Sequence, residues 1–236
     1  MHPYKKNDDH FTMLGTLFDC ALSMKPCIDQ VLARARPKIR ALLKIKHMYS
    51  QEAMLRQYKT HIWGFTEYSN GVLILASWSQ LRRIDKMQRW FLHEINLTDK
   101  TAFLEYNFAP PSMRRRIGLL GFIHKRILEQ CHPLVCAGLP LESDAEFRYH
   151  SKGLHPFWED VRGHKYLYER SLFEYILMNN RLPQSLIDSP SVKCFQARLT
   201  HLAKQRASRD DSNWRQAYEN CGDVVDFFYG QNEGIR

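Results

Sequence analysis

The fold is decided by the stretch from Ser79 to Ile95, which reads SQLRRIDKMQRWFLHEI. On a helical wheel its large side chains fall within an arc of about 100°. They are Leu81, Ile84, Gln88, Phe91, Leu92 and Ile95. The other side of the wheel carries Arg82, Lys86, Arg89 and Trp90. The stretch therefore predicts an amphipathic helix whose outer face can contact phosphates and stack on a base or sugar.

A second basic helix is predicted upstream, from about Pro26 to His47. Its apolar residues share one face, and Arg36, Arg40 and Lys44 form a row along the flank of that face. Proline inside a helix removes a backbone donor, so Pro37 is expected to kink this helix or divide it in two. Another helix is predicted after Ser50, which has the side chain of an N-cap.

Only one convincing strand precedes these helices. Residues 11–18 alternate in a strand-like way around Gly15, and no second strand follows them. Further helices are predicted beyond Ser112 and beyond Ser191. The expected fold is mainly α: one orphan β-strand, then a helical bundle, then a second helical region. The corresponding segments are 1–20, 21–106 and 107–205, and a short helix and tail follow at 206–236.

Three consecutive arginines, Arg114, Arg115 and Arg116, fall in the first turn of the helix predicted after Ser112. Cations are disfavoured beside the N-terminal end of a helix dipole. We therefore expect an external anion or an acidic neighbour to hold this triplet, and we include it among the candidate nucleic-acid contacts.

Charge is distributed unevenly along the chain, whose formal net charge is +9. Residues 1–141 contain 21 Lys/Arg and 11 Asp/Glu, whereas residues 142–236 contain 13 and 14. Residues 25–59 alone hold nine basic side chains and two acidic ones. This concentration indicates a polyanionic partner, most simply nucleic acid, although a solvated basic surface remains an alternative.

Other classes of protein find little support in the sequence. The longest apolar run, residues 72–76, is too short to span a membrane, and residues 1–9 lack the apolar core of a signal peptide. A nuclear or cytoplasmic, non-secreted protein is expected. The six cysteines include no CxxC pair, so a zinc site from Cys131, His132, Cys136 and His124 is the lesser alternative to free thiols.

Four segments in order resemble the LINE-like (non-LTR) retrotransposon reverse transcriptases. The stretch FTMLGTLFD, from Phe11 to Asp19, resembles the "xYLGxxxD" strand that follows the catalytic hairpin of these enzymes. The helix with Leu81, Ile84 and Gln88 comes next. Residues 109–125, APPSMRRRIGLLGFIHK, are similar to their "PLSxRRRxxxLxxxHK" segment. Residues 170–199 resemble their "RRSLF…YNxLP…SvxxFQxxL" ending.

The resemblance implies the end of a polymerase palm, a thumb and a C-terminal region. Leu14 and Gly15 would lie near the primer terminus, as a primer-grip-like pair, and the basic helices would contact RNA or an RNA–DNA duplex without sequence specificity. The family's carboxylate pair should precede Leu14 by some tens of residues, and only thirteen residues do so here. Asp8 and Asp9 lack the flanking apolar strand of such a pair. No catalytic or metal-ligating residue is therefore assigned, and Mg²⁺ is expected only with the missing polymerase core.

Three functions remain open at this point. The leading one is a non-catalytic thumb and C-terminal part of an RNA-directed DNA polymerase that binds template–primer. The second is a helical interaction module that docks an acidic protein. The third is a degenerate retroelement remnant with no selected role.

The first prediction concerns polymerisation. With a primed RNA template, deoxynucleotides and Mg²⁺ or Mn²⁺, the purified chain should extend no primer above background, because the two-metal carboxylate set is missing. A radiolabelled primer-extension assay measures this. Template-dependent synthesis that Asp8→Asn abolishes would contradict it.

Overall fold

The computed structural model describes most of the chain in two compact units, Met1–Ser112 and Met113–Arg236. The described residues are 10–139, 170–209 and 211–218, with the backbone of 141–142 and 153–154. Asp8 and Asp9 lie outside them.

The first unit begins with strands β1 (His10–Met13) and β2 (Thr16–Asp19). Its helices are α1 (Lys25–Lys44), α2 (Gln51–Tyr58), α3 (Gly64–Glu67), α4 (Asn70–Leu73), α5 (Trp78–Glu94) and α6 (Asp99–Tyr106). A 3-10 turn, Lys46–Met48, follows α1, and a π-helical segment, Lys59–Trp63, joins α2 to α3.

The strands β1 and β2 form an antiparallel hairpin in which Met13 pairs with Thr16. Leu14 and Gly15 make the two-residue turn, with φ of 48° and 75°. Positive φ at both central residues is the requirement of a type I′ turn, which matches the twist of the strands. Phe11 stacks on Phe18 across the ladder, with ring centroids 5.0 Å apart.

The hairpin is joined to α1 by the side chain of Asp19, the last residue of the motif that begins at Phe11. Its carboxylate accepts hydrogen bonds from the backbone N–H groups of Ser23 at 3.1 Å and Met24 at 2.9 Å. Burial opposes ionisation of Asp19, but these hydrogen bonds outweigh it and lower the pKa of the carboxyl.

Helix α1 runs without a break through Pro37, so the expected division of this helix is wrong. Proline at position 37 removes the hydrogen bond that would reach the carbonyl of Ala33. Both Ala33 and Pro37 are exposed, so water can satisfy that carbonyl. The helix buries Ile28, Leu32 and Ile39 on its opposite face.

The core of the first unit forms where α1 and α5 pack together and α2 closes over them. Tyr58 lies at its centre, 4.7 Å from the ring of Phe91 and 5.3 Å from that of Phe108. Gln88, which is 1% exposed, donates a hydrogen bond from its side-chain nitrogen to the carbonyl of Ala109 at 3.0 Å. This bond fixes the segment that follows α6 against α5.

The second unit contains most of helix α7 (Pro111–Ile127). Its other described elements are α8 (Pro133–Gly138), the paired β3 (Leu141–Glu142) and β4 (Gly153–Leu154), α9 (Leu172–Asn180), α10 (Gln184–Ile187), α11 (Val192–Ser208) and a 3-10 turn, Trp214–Gln216. Fully buried His124 stacks on Phe195 at 4.1 Å and ties α7 to α11. Ser191 caps α11, and its side chain accepts a hydrogen bond from the backbone N–H of Cys194.

The mainly α class with a small N-terminal β element is confirmed. Residues 11–18, however, are two short strands and a turn where one strand was expected. The Leu-Gly pair does not resemble the usual Asn-Gly turn, because Leu14 adopts a backbone conformation that leucine rarely takes. Ser112 also lies inside the first turn of α7, which begins at Pro111.

The second prediction concerns this turn. Leu14→Asn should raise the free energy of unfolding by a few tenths of a kcal/mol, because asparagine tolerates positive φ. Gly15→Val should lower it by roughly 1–2 kcal/mol, because a β-branched residue is strained there. Urea denaturation followed by circular dichroism measures both. Equal stability of Gly15→Val and the parent chain would contradict the turn.

Candidate nucleic-acid interface

A groove between α1 and α5 brings together residues from the two predicted basic helices. Its volume is about 310 Å³. Arg36 and Arg40 line it from α1, and Arg83, Lys86, Met87 and Trp90 line it from α5. We call it the α1–α5 groove. Arg36 and Arg40 are four residues apart on α1, as are Lys86 and Trp90 on α5. Side chains at this spacing lie on the same face of a helix, so each pair faces the groove together.

Three of the cations at this groove form no ion pair within the part of the chain that the structure describes. Among the residues that the structure describes, no acidic side chain forms an ion pair with Arg36, Arg40 or Lys86. All three are exposed. Like charges on neighbouring side chains repel, so an anion in the groove would relieve this repulsion.

The fourth cation, Arg83, is held by Asp29 of α1. Its guanidinium donates to the Asp29 carboxylate at 2.6 Å and to the side chain of Gln80 at 2.8 Å. Lys25 pairs with the other carboxylate oxygen of Asp29 at 2.9 Å. Lys25 and then Arg83 lower the pKa of Asp29, so this carboxyl stays ionised near neutral pH.

The apolar floor of the groove consists of Met87 and Trp90. Met87 is 4% exposed, whereas Trp90 is 37% exposed and offers part of its ring to solvent. A positive rim around an exposed indole suits a ligand that combines negative charge with a flat ring.

The remaining predicted cations of this unit lie outside the groove. Lys44 is exposed one turn beyond Arg40, and Arg82 is exposed one turn before Lys86 on α5; neither lines the groove. Arg89 is exposed as well, but its Nε lies 3.3 Å from the buried carboxylate of Asp99. The structure thus brings together Arg36, Arg40 and Lys86 and separates them from Arg82 and Arg89.

Leu14 and Gly15 occupy the tip of the β1–β2 hairpin. The side chain of Leu14 is 84% exposed, and its carbonyl accepts a hydrogen bond from the hydroxyl of Tyr68 at 2.9 Å. Leu14 therefore combines an exposed apolar side chain with a backbone conformation that is unfavourable for leucine.

The arginine triplet is largely inside the second unit. Arg115 and Arg116 are each 5% exposed, and Arg116 donates to the carbonyl of Arg215 at 3.0 Å. Arg114 is half-buried. The burial of Arg115 and Arg116 does not fit the expected contact with an external anion, and Arg116 bonds to a backbone carbonyl about a hundred positions away in the sequence.

Two groove residues, Arg83 and Met87, were outside the sequence-based set. On the helical wheel, Met87 lies next to the apolar arc of α5. This position is the sequence signal that could have identified it as a groove residue. Arg83 lies near the basic residues on the side of the wheel opposite the apolar arc, and its ion pair with Asp29 of α1 shows that it faces the groove.

The part of the chain that the structure describes contains no cluster of three His, Cys, Asp or Glu side chains arranged to hold a metal. His124, the proposed fourth zinc ligand, packs on Phe195, and its Nε2 lies 3.1 Å from the carbonyl of Ser189. Across the same residues, no helix has the length and apolar character of a membrane span.

Comparison of the chain with protein-family models, curated proteins and solved structures finds no match.

The third prediction concerns Asp29. Its folded pKa is lowered, so its ion pairs stabilise the fold above the ordinary pKa of 3.8 and lose that effect as pH falls through the lowered value. Asp29→Asn should therefore lower the free energy of unfolding at neutral pH by at most about 1 kcal/mol, since the carboxylate is partly solvated. The difference should shrink on acidification.

Urea denaturation of parent and variant between about pH 7 and pH 3 measures this difference. Asp188→Asn is a matched control, because Asp188 is exposed and belongs to the other unit. A stability gap for Asp29→Asn that stays constant over the whole range would contradict the prediction.

Proposed function

We propose that this chain is a non-catalytic nucleic-acid-binding part of a reverse-transcriptase-like protein, and that it holds RNA or an RNA–DNA duplex in the α1–α5 groove. The observation that carries the proposal is the convergence of Arg36, Arg40 and Lys86, without carboxylate partners among the described residues, around Trp90. The proposal includes a nuclear or cytoplasmic location.

The arrangement of the groove supports phosphate contacts from both walls. Arg36 and Arg40 are one turn apart on α1, and Lys86 faces them from α5. Two such walls allow consecutive phosphates to be bound along one strand. Arginine adds directional pairs of N–H donors, whereas lysine adds a compact point charge.

Binding of this kind does not depend on the base sequence of the nucleic acid. Contacts to phosphate and sugar position a nucleic acid but carry no base information. A stacking contact with Trp90 would accept any base, because every base has a π face. The exposed hairpin tip at Leu14 is a second surface for the same partner, as the resemblance of its motif to a primer grip suggests.

An acidic protein is the competing partner for the same groove. Its carboxylates would also satisfy Arg36 and Arg40, and an apolar side chain could cover Trp90. The two partners differ in salt dependence, because a nucleic acid releases condensed counterions when its phosphates are neutralised.

The fourth prediction concerns the groove cations. Replacing Arg36, Arg40 and Lys86 together with Gln should weaken binding to an RNA–DNA duplex and reduce the salt slope by up to about three units. Asp29→Asn should strengthen binding, because it releases Arg83 from its carboxylate. Fluorescence anisotropy of a labelled duplex over a range of salt concentrations measures both effects.

The matched control replaces Lys125, Arg181 and Lys193 with Gln. These residues are exposed in the second unit, so the control loses as much positive charge as the groove variant. It should leave duplex affinity near that of the parent chain. If the two triple variants lose affinity equally, net charge alone drives binding. If the groove variant binds like the parent at every salt concentration, the groove is not the interface.

The fifth prediction concerns Trp90. Trp90→Ala should weaken binding of single-stranded RNA by about 1–3 kcal/mol if one base stacks on the indole, and Trp90→Phe should retain most of the affinity. The salt slope should stay that of the parent chain, because no cation is lost. Trp78→Ala is the control, since Trp78 is similarly exposed but does not line the groove.

A further inference from the structure

A second cavity of about 410 Å³ lies on the other side of α1, next to the hairpin turn. Its wall includes Gln30, Arg34, His61, Gly64, Phe65 and Tyr68. Arg34 and Arg36 are two residues apart and point to nearly opposite sides of the helix. The cavity is therefore separate from the α1–α5 groove, and nothing in the sequence patterns pointed to it.

Hydrogen bonds fix the walls of this cavity. The hydroxyl of Tyr68 donates to the carbonyl of Leu14 at 2.9 Å, and the hydroxyls of Thr16 and Ser69 lie 2.8 Å apart in a buried position. These bonds hold the hairpin at a set distance from α3. The cavity is thus part of the packing of the first unit and does not depend on a single surface side chain.

The π-helical segment Lys59–Trp63 contributes Thr60 and His61 to the wall. A π-turn is a less favourable backbone than an α-turn and is found frequently at functional sites. Here it widens the helix between α2 and α3 at the point where the cavity opens. The π-helical segment thus marks the same place as the cavity.

The electrostatic character of the cavity favours an anion. Among the described residues, no carboxylate lines it or pairs with Arg34. Burial raises the pKa of the Cys27 thiol, so this part of the wall is neutral. Arg34 and His61 are exposed at the rim, where both can donate hydrogen bonds to an acidic group.

The aromatic character of the cavity favours a flat ring. Phe65 and Tyr68 line it, and the ammonium group of Lys38 lies 4.2 Å from the centre of the Phe65 ring. Gly64 leaves open space, since a Cβ added there would meet no atom within 4 Å. The volume lies within the usual range for small-molecule sites, about 300–1,000 Å³.

We propose that this cavity binds a small aromatic anion, a flat ring that carries one carboxylate, sulfonate or phosphate group. The ring packs against Phe65 and Tyr68, and the acidic group binds Arg34 and His61. This site goes beyond nucleic-acid binding by the groove and does not depend on it.

A fluorescence titration with 1-anilinonaphthalene-8-sulfonate tests the site, because this probe is an aromatic anion that brightens in apolar surroundings. The parent chain should bind it saturably. Arg34→Gln should raise the dissociation constant about tenfold by removing a charged hydrogen bond. Gly64→Leu should abolish saturable binding, because the new side chain occupies the cavity.

Matched controls are Arg82→Gln and Gly71→Leu. Arg82 is an exposed arginine away from the cavity, and Gly71 is another helical glycine whose added Cβ would meet nothing within 4 Å. Both controls should bind the probe within about twofold of the parent chain. Absence of saturable binding, or binding that Gly64→Leu leaves intact, would overturn the site. Binding that Gly64→Leu abolishes and Arg34→Gln leaves intact would overturn the anionic class of ligand.

Discussion

The packing of α1 on α5 is the interaction on which the rest of the first unit depends. One face of each helix supplies the apolar core, from Ile28 on α1 to Phe91 on α5. At the edge of that core, Asp29 of α1 forms an ion pair with Arg83 of α5. The ion pair is partly solvated, so the apolar core supplies most of the stability. The groove follows from this packing because the basic flanks of the two helices meet along it.

The basic residues divide into those that bond to other groups of the protein and those that are exposed at the groove. Arg83 and Arg89 have carboxylate partners in Asp29 and Asp99, and Arg116 is bonded inside the second unit. The exposed Arg36, Arg40 and Lys86 remain available at the groove, where an incoming anion would lower their mutual repulsion. The positive charge of the first half of the chain is thus partly structural and partly presented to solvent.

Much of this fold could be predicted from sequence because the apolar periodicity of α5 and α1 is strong, and Ile84, Phe91 and Ile39 are buried as that periodicity requires. Three features could not. The turn at Leu14 uses an unusual residue for positive φ, so local propensity pointed to one strand. The continuity of α1 through Pro37 depends on exposure of the carbonyl that loses its donor. The hydrogen bond of buried Arg116 reaches the carbonyl of Arg215, in a distant part of the chain. For the candidate site, Arg36, Arg40 and Lys86 were each among the predicted basic residues, but their meeting in one groove was not predicted. The cavity beside Arg34 is lined in part by a π-turn, which has no sequence signature.

The most direct test of the central claim is an NMR titration of the isotope-labelled chain with a short RNA–DNA duplex, observed at the arginine Nε–Hε and tryptophan indole N–H signals. The account predicts that Arg36, Arg40 and Trp90 shift together with one dissociation constant, while Arg56 and Trp78, which do not line the groove, keep their positions. A duplex that binds and moves the signals of Arg56 and Trp78 while those of Arg36, Arg40 and Trp90 stay in place would contradict the account.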